Sequence, residues 1–216
     1  MTEPKVKHLK VATKSESKFL DEIAQLVQNA RNAANSAVSS IIVVTNWNIG
    51  RRIVEQEQKG KNRAAYGDRL VELISEDLTR KFGDGYGKRN VQYFRKFYLL
   101  FNDFEIVNTC VRNLNWSHFK RLLSVSNDDA RMWYMKEADS QMWPVRTLDR
   151  NISTQYYERL LHSPKKEKVI AEMKRNTKNF QSSQLELSKS PVIAEFLGFQ
   201  ANDYTETELE SAILTN

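Results

Sequence analysis

The sequence predicts an all-α fold, and two observations support that prediction. The 216 residues include only seven glycines and four prolines, which favours helices over a turn-rich β fold. Apolar residues also recur three and four positions apart through most of the chain, the spacing that places them on one face of a helix. Charged residues are 28% and hydrophobic residues 40%, a globular composition. We expect one multi-helix domain over residues 15–180 and part of a second domain.

A long first helix is predicted after a flexible arm at residues 1–14. One face of its first half carries apolar residues at helical spacing, namely Phe19, Ile23, Leu26 and Val27. The apolar run that begins at residue 41 could form a short buried strand. However, the helical spacing continues through Trp47, Ile49, Ile53 and Val54, so we expect the helix to extend to Gly60.

Two more helices are predicted on either side of a glycine-rich turn at residues 83–87. The first, residues 66–83, ends at Gly83 as a C-terminal cap. Its expected buried stripe is Leu70, Leu73, Ile74 and Leu78. The second, residues 88–101, has inward-facing positions at Val91, Phe94, Tyr98 and Phe101.

The rest of the chain is predicted to form helices at about 116–124, 127–141 and 144–161, and a basic helix at 165–178. Asn127 is suited to an N-cap, and Pro144 to the first turn of its helix. Residues 181–190 are polar and indicate a linker. Residues 191–216 carry two short helical patterns and indicate a separate fragment.

The charge is spread unevenly along the chain. The net charge is +6, but residues 201–216 contain four acidic and no basic residues, so residues 1–200 carry +10. A basic body favours a polyanion such as DNA as a partner. The alternative is a basic but inert surface.

The glycine turn and its two flanking helices fit a helix-turn-helix at about residues 67–101. The face opposite the apolar one carries polar donors, namely Lys88, Arg89, Gln92, Arg95 and Lys96. Arginine can donate two hydrogen bonds to a phosphate or to the edge of guanine, and glutamine can pair with adenine. These five residues are the predicted DNA-binding set. A plain helical hairpin with a solvated basic face would explain the same residues.

Other kinds of site find little support in the sequence. A single cysteine, Cys110, excludes an internal disulfide and a thiolate zinc cluster, and the three histidines lack metal-ligand spacing. Ser117 and His118 are neighbours on a predicted helix and therefore point apart, which argues against a catalytic pair. The tryptophans are expected in the core. No run approaches the ~20 apolar residues of a membrane span, and no secretion signal is visible, so we expect a cytoplasmic protein.

Five segments of the chain resemble the YhcG-like nuclease family (domain of unknown function 1016). They are "NWNIGRRIVEQE" at 46–57, residues 66–98, "LNWSHFKRLL" at 114–123, "ARMWYMKEA" at 130–138 and residues 143–161. The resemblance implies a helical DNA-binding domain followed by a PD-(D/E)XK nuclease domain. It also implies an acidic metal-site residue at Glu210, with Glu206 behind it. The chain ends at Asn216, before the catalytic strands, so Mg²⁺ is implied for a complete nuclease domain and no cofactor for this chain.

The helical domain also resembles, more faintly, the DNA-binding core of ParB-type partition proteins. The matching positions are His118, Leu122, Leu123, Val145 and Arg146. This resemblance implies the same recognition helix, residues 88–101. The function predicted from the sequence is therefore a DNA-binding module that positions a nuclease. The alternative is an interaction module that forms a homo-oligomer or binds other subunits of a restriction or defence complex.

Overall fold

The computed structural model describes residues 14–59, 63–177 and 196. The helices are α1 (Lys14–Lys59), α2 (Arg63–Phe82), α3 (Lys88–Leu100), α4 (Phe104–Cys110), α5 (Trp116–Leu122), α6 (Asp128–Ser140), α7 (Val145–Ser153), α8 (Tyr156–His162) and α9 (Lys166–Thr177). The all-α prediction is confirmed for these residues, among which there is no strand. Three predicted segments lie outside the described residues. They are the arm except for residue 14, the linker at 181–190, and the fragment at 191–216 except for Phe196.

Helix α1 is continuous over 46 residues, so the strand alternative at residue 41 is wrong. Its second half runs through the core, where Val43, Trp47 and Ile53 are buried. The indole Nε1–H of Trp47 donates a hydrogen bond to the carbonyl oxygen of Phe101 at 2.6 Å, which fixes α1 to the end of α3. The first half shows the predicted apolar face, and that face is exposed.

The main core is aromatic and lies between α1, α3 and α5. Phe97 is fully buried, with its ring centroid 4.8 Å from that of Phe119 and 5.4 Å from that of Trp116. Tilted aromatic pairs at these distances add to the stabilisation from burial. The prediction that the tryptophans belong to the core is confirmed for Trp47, Trp116 and Trp143, which are buried, while Trp133 is half-buried.

A smaller second core holds α2 against α1 and α3, and consists of Ile53, Val71 and Val91. Helix α2 ends as predicted at Gly83, whose φ of +95° lies in the left-handed region that favours glycine. A 3₁₀ turn, Asp84–Tyr86, then leads into α3. The predicted buried stripe of α2 was wrong at Leu73, which is exposed; Val71 and Ser75 take the buried positions.

Helices α4 and α5 each begin with a side-chain cap. The carboxylate of Asp103 accepts a hydrogen bond from the Glu105 backbone N–H at 2.9 Å at the start of α4, a helix that the sequence reading did not predict. Helix α5 begins at a capping box, in which the Asn115 side chain accepts from the His118 N–H and the His118 ring accepts from the Asn115 N–H. Asn127 caps α6 as predicted, accepting from Ala130 N–H at 2.8 Å.

The predicted helix at 144–161 is instead two helices, because the chain turns at Gln155, whose φ is +50°. The break allows a buried connection to α6. The Tyr134 hydroxyl donates to the carbonyl oxygen of Asn151 at 3.1 Å and accepts from the Tyr157 N–H at 3.0 Å. Burial of this hydroxyl raises the pKa of Tyr134 to about 12.

Candidate nucleic-acid interface

The position of α3 depends on a close approach to α1 at Gly50. A Cβ atom at Gly50 would overlap the carbonyl oxygen of Phe94 and lie 3.1 Å from the Cβ of Tyr98. Only glycine therefore allows the backbones of α1 and α3 to touch at this point. Because α1 is anchored in both cores, this contact fixes which face of α3 points outward.

Helix α3 separates a buried apolar side from an exposed polar side. Val91, Phe94 and Phe97 are buried, whereas Tyr98 is only half-buried, with its ring centroid 5.1 Å from that of Trp47. Helical spacing did not distinguish Phe97 from Tyr98, because both positions fit the spacing from Phe94. The outward residues include Lys88, Arg89, Gln92, Lys96 and Leu99.

Arg95 differs from the other predicted DNA-binding residues, because its guanidinium turns toward α1. Its Nε lies 2.8 and 2.9 Å from the two carboxylate oxygens of Glu57, whose side chain is 10% exposed. The same carboxylate packs against the start of α2, where a Cβ at Gly67 would lie 2.9 Å from Glu57 Oε1. This contact therefore joins three helices, and nothing in the spacing of either segment indicated that Glu57 would take part.

Lys88 lies at the exposed start of α3 beside an acidic edge of α2. Its ammonium donates to Glu72 Oε1 at 2.8 Å. That hydrogen bond raises the pKa of Lys88 and lowers the pKa of Glu72, and Asp68 and Glu76 add further negative field at Lys88. The charge of Lys88 is therefore locally offset.

The remaining three predicted residues form an outward-facing row, which we call the α3 stripe: Arg89, Gln92 and Lys96. The guanidinium of Arg89 lies 5.6 Å from the ring centroid of Tyr93, and its Nε donates to that hydroxyl at 3.3 Å. Gln92 and Lys96 are exposed, and in the part of the chain that the structure describes neither makes an ion pair or side-chain hydrogen bond. The spacing of three and four residues places all three side chains together.

His118 has a structural role. Its Nε2 lies 2.8 Å from the carbonyl oxygen of Trp143, so Nε2–H is the donor and the ring joins α5 to the segment before α7. Burial lowers the pKa of His118, which keeps the ring neutral. The rejection of a Ser117–His118 catalytic pair agrees with these contacts.

The described ranges, 14–59 and 63–177, contain no group of three acidic, histidine or cysteine side chains that could hold a metal ion. Glu206 and Glu210, the acidic residues implied by the family resemblance, lie outside those ranges. Within the same ranges no helix is both long and apolar enough to cross a membrane.

The fold and this surface define a class of protein: a helical domain built around a long first helix, which presents a turn-linked helix with a polar, basic outer face. Residues 22–159 match the DUF1016 N-terminal domain, and the chain belongs to that family. The chain is also 33% identical over 225 residues to the protein named "Putative nuclease YhcG" of Escherichia coli (strain K12). That alignment covers 91% of this chain and 59% of the relative, so the chain spans well under two thirds of the relative's length. No solved structure matches the chain.

Proposed function

We propose that this chain is the DNA-binding helical module of a nuclease, and that the α3 stripe contacts the DNA. One observation carries the proposal: α3 has four basic and no acidic residues, and its buried side leaves Arg89, Gln92 and Lys96 facing solvent together. A cationic row of this kind contacts phosphates, and Gln92 adds a group that can read a base edge. The name of the Escherichia coli relative supports a role in nuclease action, for which DNA is a natural substrate.

The contacts of the five predicted residues divide them into two groups. Arg95 is held by Glu57, and Lys88 is offset by the acidic edge of α2, so both are expected to contribute little to phosphate binding. Arg89 and Lys96 have no carboxylate partner among the described residues, and we expect them to supply most of the phosphate contacts of α3. Gln92 lies between them on the helix surface.

The proposal is tested by salt-dependent DNA binding. Each phosphate contact adds about 0.9 to the slope of log affinity against log salt, so Arg89→Ala/Lys96→Ala should lower that slope by about 2. The affinity at 0.1 M salt should fall roughly tenfold to a hundredfold. The measurement is fluorescence anisotropy with a labelled duplex, from 0.05 to about 0.3 M salt.

A matched control removes the same charge elsewhere. Arg112 and Lys136 are exposed residues on the α4–α6 side of the domain. Arg112→Ala/Lys136→Ala should leave the salt slope nearly unchanged. Equal losses in the two double variants would show that binding follows net charge alone, and the assignment to α3 would then be wrong.

A second function, as a protein-interaction module, is favoured by a different observation. The first half of α1 exposes a continuous apolar face that the described part of the domain does not cover. This face does not conflict with DNA binding, because every contact described above between α1 and α3 involves the second half of α1.

A further inference from the structure

The first half of α1 has a surface that a stable monomer rarely leaves open. Five large apolar side chains on this segment are between 44% and 64% exposed. They are Phe19, Leu20, Ile23, Leu26 and Val27. Among the described residues, a hydrogen bond joins α1 to a distant segment of the domain at Ser36, whose hydroxyl donates to the carbonyl oxygen of Arg112 at 3.3 Å. A contiguous apolar patch of this kind marks an interaction surface.

The patch continues along the same face as a row of small residues. Ala30, Ala33 and Ala37 are exposed and Ala34 is half-buried. Apolar residues then occupy positions 20, 23, 27, 30, 34 and 37, a repeat that alternates steps of three and four. The same alternation connects positions 19, 23, 26, 30, 33 and 37. A repeat of 3.5 residues is the pattern by which one helix packs along another. We call residues 19–37 on this face the α1 seam.

The size gradient along the α1 seam selects the orientation of a partner helix. The bulky residues lie at its N-terminal end and the alanines at its C-terminal end. In an antiparallel pair of identical seams, Leu20 comes level with Ala37, Ile23 with Ala34, and Val27 with Ala30. Every layer then joins a large side chain to a small one, and the layers interdigitate at an even separation. In a parallel pair, large residues would meet large ones at one end and alanines would meet alanines at the other.

The charges of the segment also allow two copies to meet. Residues 14–37 contain three basic and three acidic residues, in a chain whose overall charge is +6. The segment is therefore neutral, and like charges do not oppose its self-association. The seam is also self-complementary, as the shared patch of a two-fold symmetric dimer must be.

We propose that the chain forms a homodimer through antiparallel pairing of its α1 seams. The interface is centred between Val27 and Ala30 of each copy. It leaves α3 accessible, because the contacts of α3 with α1 described above, at Trp47, Gly50 and Glu57, lie in the second half of α1. The proposal does not rest on the DNA-binding role of α3, and the two can fail separately.

The test is sedimentation equilibrium of the 216-residue chain over about 1 to 100 μM. The expected mass is twice 25.2 kDa at the upper concentrations. Ile23→Glu/Val27→Glu places charges in the seam and should give a monomer. The matched control, Gln25→Glu/Asn29→Glu, adds the same charge at the same spacing on the other side of the helix and should remain a dimer. Far-UV circular dichroism checks that both variants keep their helices.

A milder variant keeps the test decisive if the charged one does not fold. Phe19→Ala/Leu26→Ala retains helix propensity and should weaken the dimer at least tenfold. A wild-type chain that stays monomeric at 100 μM would overturn the proposal, whether the seam is then covered by another part of this chain or by a different protein. An oligomer that survives both seam variants would overturn it as well.

Orientation is tested by cysteine cross-linking. An equimolar mixture of a tagged Leu20→Cys chain and an untagged Ala37→Cys chain should form mainly the mixed disulfide under mild oxidation. The native Cys110 is buried and serves as a constant background. Disulfides between identical chains in place of the mixed product would show a parallel pair and refute the antiparallel arrangement.

Discussion

Replacing Arg95 distinguishes a residue that holds the domain together from one that binds DNA. In Arg95→Ala, the Glu57 carboxylate keeps its buried position but loses the guanidinium that lies 2.8 and 2.9 Å from its two oxygens. Removing one partner of a buried ion pair costs about 3–5 kcal/mol, because the other charge remains desolvated. Water reaches Arg95, whose side chain is 40% exposed, and screens the pair, so we expect a loss at or below the lower end of that range, about 2–3 kcal/mol in the free energy of unfolding.

The assay is urea or thermal denaturation followed by circular dichroism. A loss of this size in a domain of 150–250 residues should lower the melting temperature by about 4–12 °C. Glu57→Gln and the double variant complete a thermodynamic cycle. Because the neutral amide no longer needs the guanidinium, the double variant should be no less stable than Arg95→Ala alone. The expected coupling between the two residues is about 1–2 kcal/mol.

If Arg95→Ala costs less than about 0.5 kcal/mol while the salt slope of DNA binding falls by about 1, Arg95 contacts phosphate and its pair with Glu57 opens in solution. The α3 stripe would then include Arg95, as the spacing in the sequence predicts. If the stability falls and the salt slope does not change, the division of the five residues into two groups holds.

Three further predictions concern other contacts. Gly50→Ala should lower the free energy of unfolding by at least about 1–3 kcal/mol in thermal denaturation, because the added methyl group would overlap the Phe94 carbonyl oxygen. A change below about 0.5 kcal/mol would contradict that close approach. Glu72→Gln removes the partner of Lys88 and should raise DNA affinity about three- to tenfold with a steeper salt slope, whereas an unchanged affinity would place Lys88 outside the interface. His118 has a folded-state pKa below its unfolded value, so the stability of the wild-type domain should decrease as the pH falls below about 6.5. In His118→Gln this part of the pH dependence should disappear. If it persists in the variant, other titratable groups cause it.

Helical periodicity predicted most of the helices, but it missed α4 and the break between α7 and α8, and it did not show what covers the helix faces. Phe19, Ile23 and Leu26 were correctly placed on one side of α1. However, the same spacing is found in a helix buried in a core and in a helix whose apolar face is exposed. The break at Gln155 had no glycine or proline to indicate it. It follows from the buried hydroxyl of Tyr134, whose hydrogen bonds connect residues 17 and 23 positions away.

The candidate site shows the same limit at the level of single side chains. Periodicity placed Arg95 and Lys96 on one polar face of α3, because both are far from the buried positions. It could not show that the guanidinium reaches a carboxylate 38 residues earlier in the chain. The sequence likewise predicted Lys88 as a DNA-binding cation, although in the fold Glu72 of α2 forms an ion pair with it. Carboxylates from distant segments determine which basic residues remain available to bind DNA. Those contacts form only in the folded chain, so the sequence alone does not show them.

The two proposals concern separate parts of α1, so one variant can test both without confusing them. Val27 and Gly50 are 23 residues apart, which is about 35 Å along a helix. At physiological salt, charges are screened over about 8 Å, so glutamates at positions 23 and 27 cannot weaken the field at α3. Ile23→Glu/Val27→Glu should therefore dissociate the dimer and still bind a short duplex, one that holds a single protomer, with wild-type affinity. If DNA affinity fell together with the dimer, the binding surface would require both copies, and α3 of one chain would not be the complete recognition unit.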